Sequence, residues 1–373
     1  MTKKNVAYLI NDAAYFFSHR QKLAEAVQHA GGTVHVIVPS ASESVQDRFT
    51  ESGMTLWCFA PEGNIKSRIL GIYKLAGILK EIRPDLVHVV TLKCTVLWFL
   101  VAPFFHKLPS IHTIAGFGQL KNPTFLSKTG KRIIEGILWI LARLTPASFV
   151  VQNTDDAADL CARQVIPASR LHLVQGSGVD MTTYAPGNRL YGSPLRVGTA
   201  ARRLKAKGIP ALAELGRYIK AHNLPIRLVV ASVPADGHRD AIPDAQWSQW
   251  LDEDLFEDAG HVTDMVTFYQ SLDAFVYLST YGEGLAKTLL EAASCGLPIV
   301  TTRQAGCREA IIDGVSGYLT DPLDTAGTAA LLARLQDPVT LKTFGIAARE
   351  HIARHFADDI VIAQMLTLYE NAA

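Results

Sequence analysis

The sequence predicts an α/β protein built from two Rossmann-like β/α/β units, and three observations carry that expectation. Short apolar runs alternate with helical patterns along most of the chain, the rhythm of a mostly parallel sheet wrapped by helices. The rhythm pauses once, at Gly176-Ser-Gly-Val-Asp180 and a Pro- and Gly-containing stretch through Pro194, where a hinge is expected. The length, 373 residues, exceeds one ordinary α/β core and suggests two domains of about 150–200 residues each. An apolar content of 49% with 19% charged residues is a globular composition.

In order, Val6–Ile10 reads as a first strand, Arg20–Ala30 as a helix ending at Gly31-Gly32, and Val34–Val38 as the next strand. Because Asn11 and Asp12 interrupt the first apolar run, it reads as a strand and not as a signal peptide. Further strands are expected at 86–90, 111–114, 149–152 and 171–175, with helices at 69–82 and 133–144. The longest apolar stretch, Cys94–Phe105, is too short for a bilayer span, which needs about 20 residues. The first βα turn, residues 11–20, has no glycine, which argues against a dinucleotide fingerprint. A P-loop is also missing, and Gly176-Ser-Gly178 lacks the spacing of a nucleophile elbow.

Five widely spaced cysteines without a C-x-x-C pair argue against a disulfide framework and structural zinc, and for a reducing compartment. Charge divides unevenly. Residues 1–150 hold 17 Lys+Arg against 9 Asp+Glu, while the remainder holds 19 against 26. A basic half suits a phosphorylated substrate or an anionic membrane face. Nucleic acid is disfavoured, since the cations are dispersed and no aromatic-interleaved basic cluster appears.

The second series begins with Leu195–Thr199 and continues with strands at 226–231, 275–279, 298–301 and 317–319. The acidic, Trp-containing segment 235–258 has no legible role. The first strand runs into Ala201-Arg-Arg-Leu-Lys-Ala-Lys-Gly208, four cations within six positions at the strand end where open α/β sheets bind ligands. Arg202 and Lys207 can converge there on a diphosphate, the arginine by its planar fork and the lysine as a point charge. The other reading of the run is a solvated basic turn.

The stretch Tyr281–Gly296 follows the apolar run 274–279 and joins a glycine-flanked acid, Glu283, to a helix with Leu285, Leu289, Ala292 and Ala293 on one face and Gly296 as its C′ residue. A strand, a glycine turn and a helix N-terminus form an anion site, because unpaired N–H groups point outward. Glu283 falls in the turn. Glu291, two helical turns on and off the apolar stripe, is expected to face a crevice with its carboxylate free. In the alternative, Glu283 complements the helix dipole and Glu291 is a solvated surface residue.

These residues resemble a known family. Glu283 and Glu291, within Glu-Gly-Leu-x-Lys-(x)-Leu-Leu-Glu-Ala and the following Cys-Gly-(x)-Pro, look like the E-x7-E signature of retaining glycosyltransferase family 4. The basic run resembles that family's G-R-L-x-x-x-K-G element, with Ala201 in place of the usual glycine. Phe17-Ser-His-Arg20 and Ile114-Ala-Gly-Phe-Gly118 look most like bacterial members that extend polyprenyl-diphosphate-linked sugars for capsule, O-antigen or protein glycans.

The resemblance implies the GT-B fold, two Rossmann-like domains facing each other across a cleft. It divides the chain into residues 1–180 for the acceptor, a linker at 181–194, residues 195–350 for the nucleotide sugar, and a C-terminal helix at 351–373 packing back on the first domain. It implies metal-independent retaining transfer from a UDP-linked sugar to a polyprenyl-diphosphate-linked saccharide, with no cofactor and no metal site. Glu283 would hold donor-sugar hydroxyls, with Gly284, Leu285, Ala286 and Lys287 beside the sugar and phosphate. Glu291 would grip the ribose, Arg202 and Lys207 would stabilise the leaving diphosphate, and His112 would stand near the reacting carbon. His19, Gly116 and Gly118 are candidates for acceptor contact. Ala286 replaces a common family proline.

Membrane contact has a separate basis. Lys121, Lys128, Lys131 and Arg132 lead into an apolar helix with Trp139, which can rest on an anionic leaflet; an ordinary buried helix is the alternative. The protein is thus expected in the cytoplasm, peripheral on the inner face of the membrane. Two other functions stay open, namely a nucleotide-sugar epimerase or soluble-acceptor enzyme of the same fold, and a non-catalytic nucleotide-sugar-binding scaffold.

Overall fold

Apolar runs without alternation become strands covered on both faces, as parallel sheets require. The computed structural model describes residues 3–59, 65–116, 128–188 and 192–372. Seven strands form a parallel sheet: β1 (Asn5–Ile10), β2 (Thr33–Val38), β3 (Thr55–Cys58), β4 (Leu86–Val90), β5 (Ser110–Ile114), β6 (Ala147–Val151) and β7 (Leu171–Leu173). Their order is β3-β2-β1-β4-β5-β6-β7. The sequence reading omitted β3, a half-buried edge strand of four residues.

Six more strands form a second parallel sheet: β8 (Leu195–Arg202), β9 (Ile226–Val233), β10 (Glu257–Gly260), β11 (Ala274–Tyr277), β12 (Ile299–Thr302) and β13 (Gly317–Thr320). Their order is β10-β9-β8-β11-β12-β13. The segment 235–258 now has a structural role. It forms the helix Asp244–Asp252 and enters edge strand β10, with Trp247 and Trp250 buried in the core. Trp247 donates to Asp258 at 2.9 Å, and the Arg203 guanidinium lies 4.1 Å from the Trp247 ring centre.

The chain falls into two units, residues 1–177 with 359–373, and residues 178–358. The segment read as a linker packs on the second unit from its start: Arg349 donates to the carbonyls of Met181, Tyr184 and Ser294. The C-terminal region is two helices, Pro338–His355 and Asp358–Asn371. The second of these buries Val361, Met365 and Tyr369 against the first sheet's core. Lys4 donates to the carbonyls of Tyr369 and Glu370 at its end, a cation where the helix dipole favours one.

Buried polar side chains in the first sheet are paired. His88 meets Tyr369 Oη through Nδ1 at 2.5 Å and Thr113 Oγ1 through Nε2 at 2.7 Å. On the helix Lys128–Leu144, Leu138, Leu141 and Ala142 are buried while Ile133, Trp139 and Leu144 are exposed, so the helix serves core and surface together. No helix among the described residues is long and apolar enough to cross a membrane.

Candidate active site

The second sheet presents β8 and β11 side by side, and the segments leaving their C-terminal ends meet. After β8 the chain makes a short turn of helix, Lys205–Lys207, and reaches Gly208 at φ +79°. A Cβ on Gly208 would stand 2.0 Å from the Leu278 carbonyl oxygen, so only glycine lets this turn lie against the end of β11. The Ala206 carbonyl accepts from the Thr280 N–H at 3.0 Å, closing the same contact.

That packing delivers Lys207 to Glu283. Nζ lies 2.5 Å from Glu283 Oε2 and 2.9 Å from Tyr277 Oη, and the Tyr277 hydroxyl donates to Glu283 Oε1 at 2.7 Å. Both charged side chains are mostly buried, 15% and 11% exposed. Burial by itself works against the Lys207 ammonium, but Glu283, Tyr277 and Tyr281 outweigh it, and its pKa stands well above the ordinary value. Burial, then the Glu283 charge, raises the Tyr277 phenol, which stays a donor. The Cys307 thiol is likewise pushed up, first by burial and then by Glu283.

The Glu283 turn is held by the loop after β12. Glu283 N–H donates to the Ala305 carbonyl at 2.8 Å and Ala286 N–H to the Gly306 carbonyl at 3.0 Å. Gly306, at φ +78°, is confined to glycine, since a Cβ would stand 2.6 Å from the carbonyl oxygens of both Glu283 and Gly284. This corrects the expectation for Ala286, whose amide is engaged in the loop and is not offered to a phosphate. Ala286 instead caps the helix Lys287–Ser294, whose first turn carries Lys287. Gly284 is buried and Leu285 half-buried in the same turn.

Glu291 differs from expectation. It is 6% exposed, and its carboxylate is not free: Tyr269 donates to Oε2 at 2.9 Å and Lys287 Nζ stands 3.4 Å from Oε1. Tyr184 is also bonded to it, and its phenol pKa is raised first by burial and then by Glu291. Of the expected apolar stripe, Leu289, Ala292 and Ala293 lie buried in the helix, while Leu285 stands in the turn before it; Tyr269 from a neighbouring segment covers the polar side. Of the four cations after β8, Arg203 binds Ser232, Asp258 and the Trp247 face, and Lys205 is exposed. Arg202 is exposed, and its side chain has no hydrogen-bond or ion-pair partner among the described residues.

His112 does not fit the role expected of it. It is fully buried in the middle of β5. Its ring stacks on Phe149 with centroids 5.0 Å apart, Nδ1 meets Thr95 Oγ1 at 3.2 Å, and Nε2 meets Ser110 Oγ at 3.0 Å. Burial holds its pKa down to about 3. A neutral histidine with both nitrogens occupied is a packing residue. His19 is half-buried on Tyr15 with ring centroids 4.0 Å apart, and Gly116 turns the chain after β5 at φ +83°. Gly118 lies outside the described residues. Asp155 and Asp156 occupy the first turn of the helix Thr154–Ala162, with Asn153 as the cap. No group of three or more His, Cys, Asp or Glu side chains stands together to hold a metal ion among the described residues.

Sequence reasoning missed the tyrosines. Tyr277 ends a buried strand, and a buried phenol needs a partner for its hydroxyl; that was the available signal. Tyr269 and Tyr184 come from segments with no motif.

Two parallel α/β units, the second with a lysine–glutamate–tyrosine cluster at the C-terminal edge of its sheet, define the GT-B class. Residues 195–337 match the family described as Glycosyl transferases group 1, and residues 5–142 match Glycosyl transferase 4-like. Together these matches take in about three quarters of the chain, and it belongs to this glycosyltransferase family.

Among curated relatives, a D-inositol 3-phosphate glycosyltransferase of Thermobifida fusca is 28% identical over 71% of this chain and 64% of its own length. The capsular polysaccharide biosynthesis glycosyltransferase CapM of Staphylococcus aureus is 25% identical over 46% of this chain and 45% of its own. The matched region thus spans about half to two thirds of those relatives. Among solved structures, HepE of Anabaena in complex with UDP-glucose superposes with a TM-score of 0.79 at 16% identity, covering 99% of this chain and 100% of the other. A glycosyltransferase of Rickettsia africae gives 0.78 at 14% identity, covering 100% and 99%.

Proposed function

We propose that the protein transfers a sugar from a UDP-linked donor to a saccharide carried on polyprenyl diphosphate, with retention at the anomeric carbon and without a metal ion. The observation that carries this reading is the Lys207–Glu283–Tyr277 cluster, which puts a cation and a carboxylate side by side at the ligand-binding edge of the second sheet. Glu283 has lone pairs left for sugar hydroxyls, since a carboxylate accepts at about four sites. Lys207, with Arg202 five residues before it at the end of β8, neutralises charge developing on the leaving diphosphate. Glu291, with Lys287 and Tyr269, holds the ribose. The departing phosphate accepts the acceptor's proton as the acceptor attacks from the same face.

The UDP-sugar is supported by the neighbour solved with UDP-glucose. The lipid-linked acceptor is supported by the likeness to a capsule-biosynthesis enzyme. Contact with an anionic membrane, on the inner face of the cytoplasmic membrane, is supported by exposed Ile133, Trp139 and Leu144 near Lys131 and Arg132. Mass spectrometry of the protein incubated with UDP-hexoses or UDP-N-acetylhexosamines and polyprenyl-diphosphate saccharides tests the reading. A product one sugar heavier is expected. Product on soluble sugars alone overturns the lipid acceptor, and an isomerised donor would make the enzyme an epimerase.

A further inference from the structure

Tyr277 is the last residue of β11 and is 2% exposed. Its ring lies in the core with Phe275, Leu289 and Cys307, and its carbonyl accepts from Thr301 Oγ1 at 2.8 Å. The three strand residues before it, Ala274, Phe275 and Val276, are apolar, and a phenylalanine would fill the same space. Only the hydroxyl sets it apart, and a buried hydroxyl costs stability unless it is bonded. Among the described residues it has two partners, both of them charged groups of the candidate site: Lys207 Nζ at 2.9 Å and Glu283 Oε1 at 2.7 Å.

The direction of both bonds is forced. An ammonium can only donate and an ionised carboxylate can only accept, so the phenol takes a hydrogen from Lys207 and gives its own to Glu283. Burial and then the Glu283 charge raise its pKa, which keeps that hydrogen in place. The direct contact of Lys207 Nζ with Glu283 Oε2, at 2.5 Å, closes a ring of three hydrogen bonds. The Tyr277 and Tyr281 ring centres flank the ammonium at 5.6 and 5.5 Å. Two of its three hydrogens are thus committed, and the third has no hydrogen-bond acceptor among the described residues.

Lys207 reaches this point on a flexible four-carbon stem. Paired with Glu283 alone, its ammonium is free to swing about the carboxylate, and a diphosphate would draw it off and leave a mostly buried negative charge uncovered. A second acceptor fixed at the end of a core strand holds Nζ in one place. The same hydroxyl keeps a donor on Glu283 when the ammonium turns toward the phosphate.

We propose that Tyr277 is a positioning residue of the transfer reaction: its hydroxyl fixes the Lys207 ammonium so that the third hydrogen meets the leaving diphosphate, and it keeps Glu283 hydrogen-bonded meanwhile. The inference rests on the reading of Lys207 and Glu283 as the donor site.

Transfer by wild type, Tyr277→Phe, Lys207→Met and the double variant tests it, with the UDP-sugar and acceptor that give product in the wild-type chain and at a temperature where circular dichroism shows all four folded. Tyr277→Phe keeps the ring and removes one oxygen. It should lower kcat about tenfold, the scale of one hydrogen bond to a charged group. The KM for the UDP-sugar and the calorimetric Kd for UDP should stay within about threefold, and the Tm within a few degrees. In the Lys207→Met background, itself expected to lose about 10²–10³ in kcat, the same change should cost no more than about twofold, because the phenol acts through the ammonium. Full kcat in Tyr277→Phe, a loss confined to KM, an equal loss in both backgrounds, or a Tm far below that of wild type makes Tyr277 a packing residue and overturns the proposal. Full kcat in Lys207→Met overturns the donor-site reading instead, and no transfer by the wild-type chain overturns the transfer reading and this inference together.

Discussion

Each unit buries a cation among tyrosines, and the two are finished differently. In the second unit Lys207 has its counter-ion, Glu283, and a phenol that bonds to both. In the first, Arg20 has one neighbouring carbonyl and, among the described residues, no carboxylate. Removing an ion from water costs several kcal/mol, which a well-placed partner offsets. The second unit therefore holds its cluster preorganised, so a ligand joins an arrangement already complete. The first leaves its cation with a single neutral acceptor.

The largest expected effect sharpens that contrast through stability. Removing one member of the Lys207–Glu283 pair, as in Lys207→Met or Glu283→Leu, should cost about 3–5 kcal/mol, while the double variant regains most of it. Arg20→Met should cost nothing comparable. Urea unfolding of the four variants checks this; equal losses for Lys207→Met and Arg20→Met would erase the distinction between the two cations.

Next in size is the response to pH. The unfolded chain protonates His112 near pH 6.5, whereas burial holds the folded residue down to about 3. Stability from its neutral burial is present above about 6.5 and is lost as pH falls toward 3, amounting to about 3 kcal/mol at pH 4. Burial lowers His88 in the same direction. The Lys207 pair acts oppositely: its pKa is raised, so its contribution is present below about 10.4 and disappears as pH rises through the folded value. Acid should thus undo the first unit and alkali the second unit's cluster. Unfolding free energy measured against pH, with His112→Gln flattening the acid limb, tests this; an unchanged slope would assign the acid sensitivity elsewhere.

Glu291→Gln is expected to have the smallest effect, a roughly tenfold weaker donor affinity with a smaller change in turnover, about the value of one hydrogen bond to a charged group. Calorimetry with UDP reads it directly. A loss confined to turnover would place Glu291 at the sugar instead.

Much of the fold was legible because parallel strands buried on both faces appear as plain apolar runs, as in Leu86–Val90 and Ile226–Ala231. Edge strands β3 and β10 escaped because an edge needs fewer apolar residues, and Glu-Asp-Ala-Gly has no strand propensity at all. At the site, the sequence put Lys207 and Glu283 on the same rim of the second sheet, where the structure pairs them, whereas Glu291 was expected with its carboxylate free and is instead buried against Tyr269 and Lys287. Tyr277, Tyr269 and Tyr184 reach the acids through tertiary packing, which no local pattern encodes. His112 failed for a related reason. The resemblance put it near the reacting carbon, whereas it lies within β5 with two strand residues following it and both of its nitrogens occupied from within the core.

The claim that Glu283 receives the donor sugar is tested most directly by the transfer rate of Glu283→Gln. This neutral isostere keeps hydrogen-bonding atoms in place and removes the charge. Measured beside wild type, with circular dichroism confirming the fold and calorimetry confirming UDP binding, it should lower transfer by about 10²–10³ while UDP affinity stays within a few-fold. Full transfer by the folded variant would contradict the assignment.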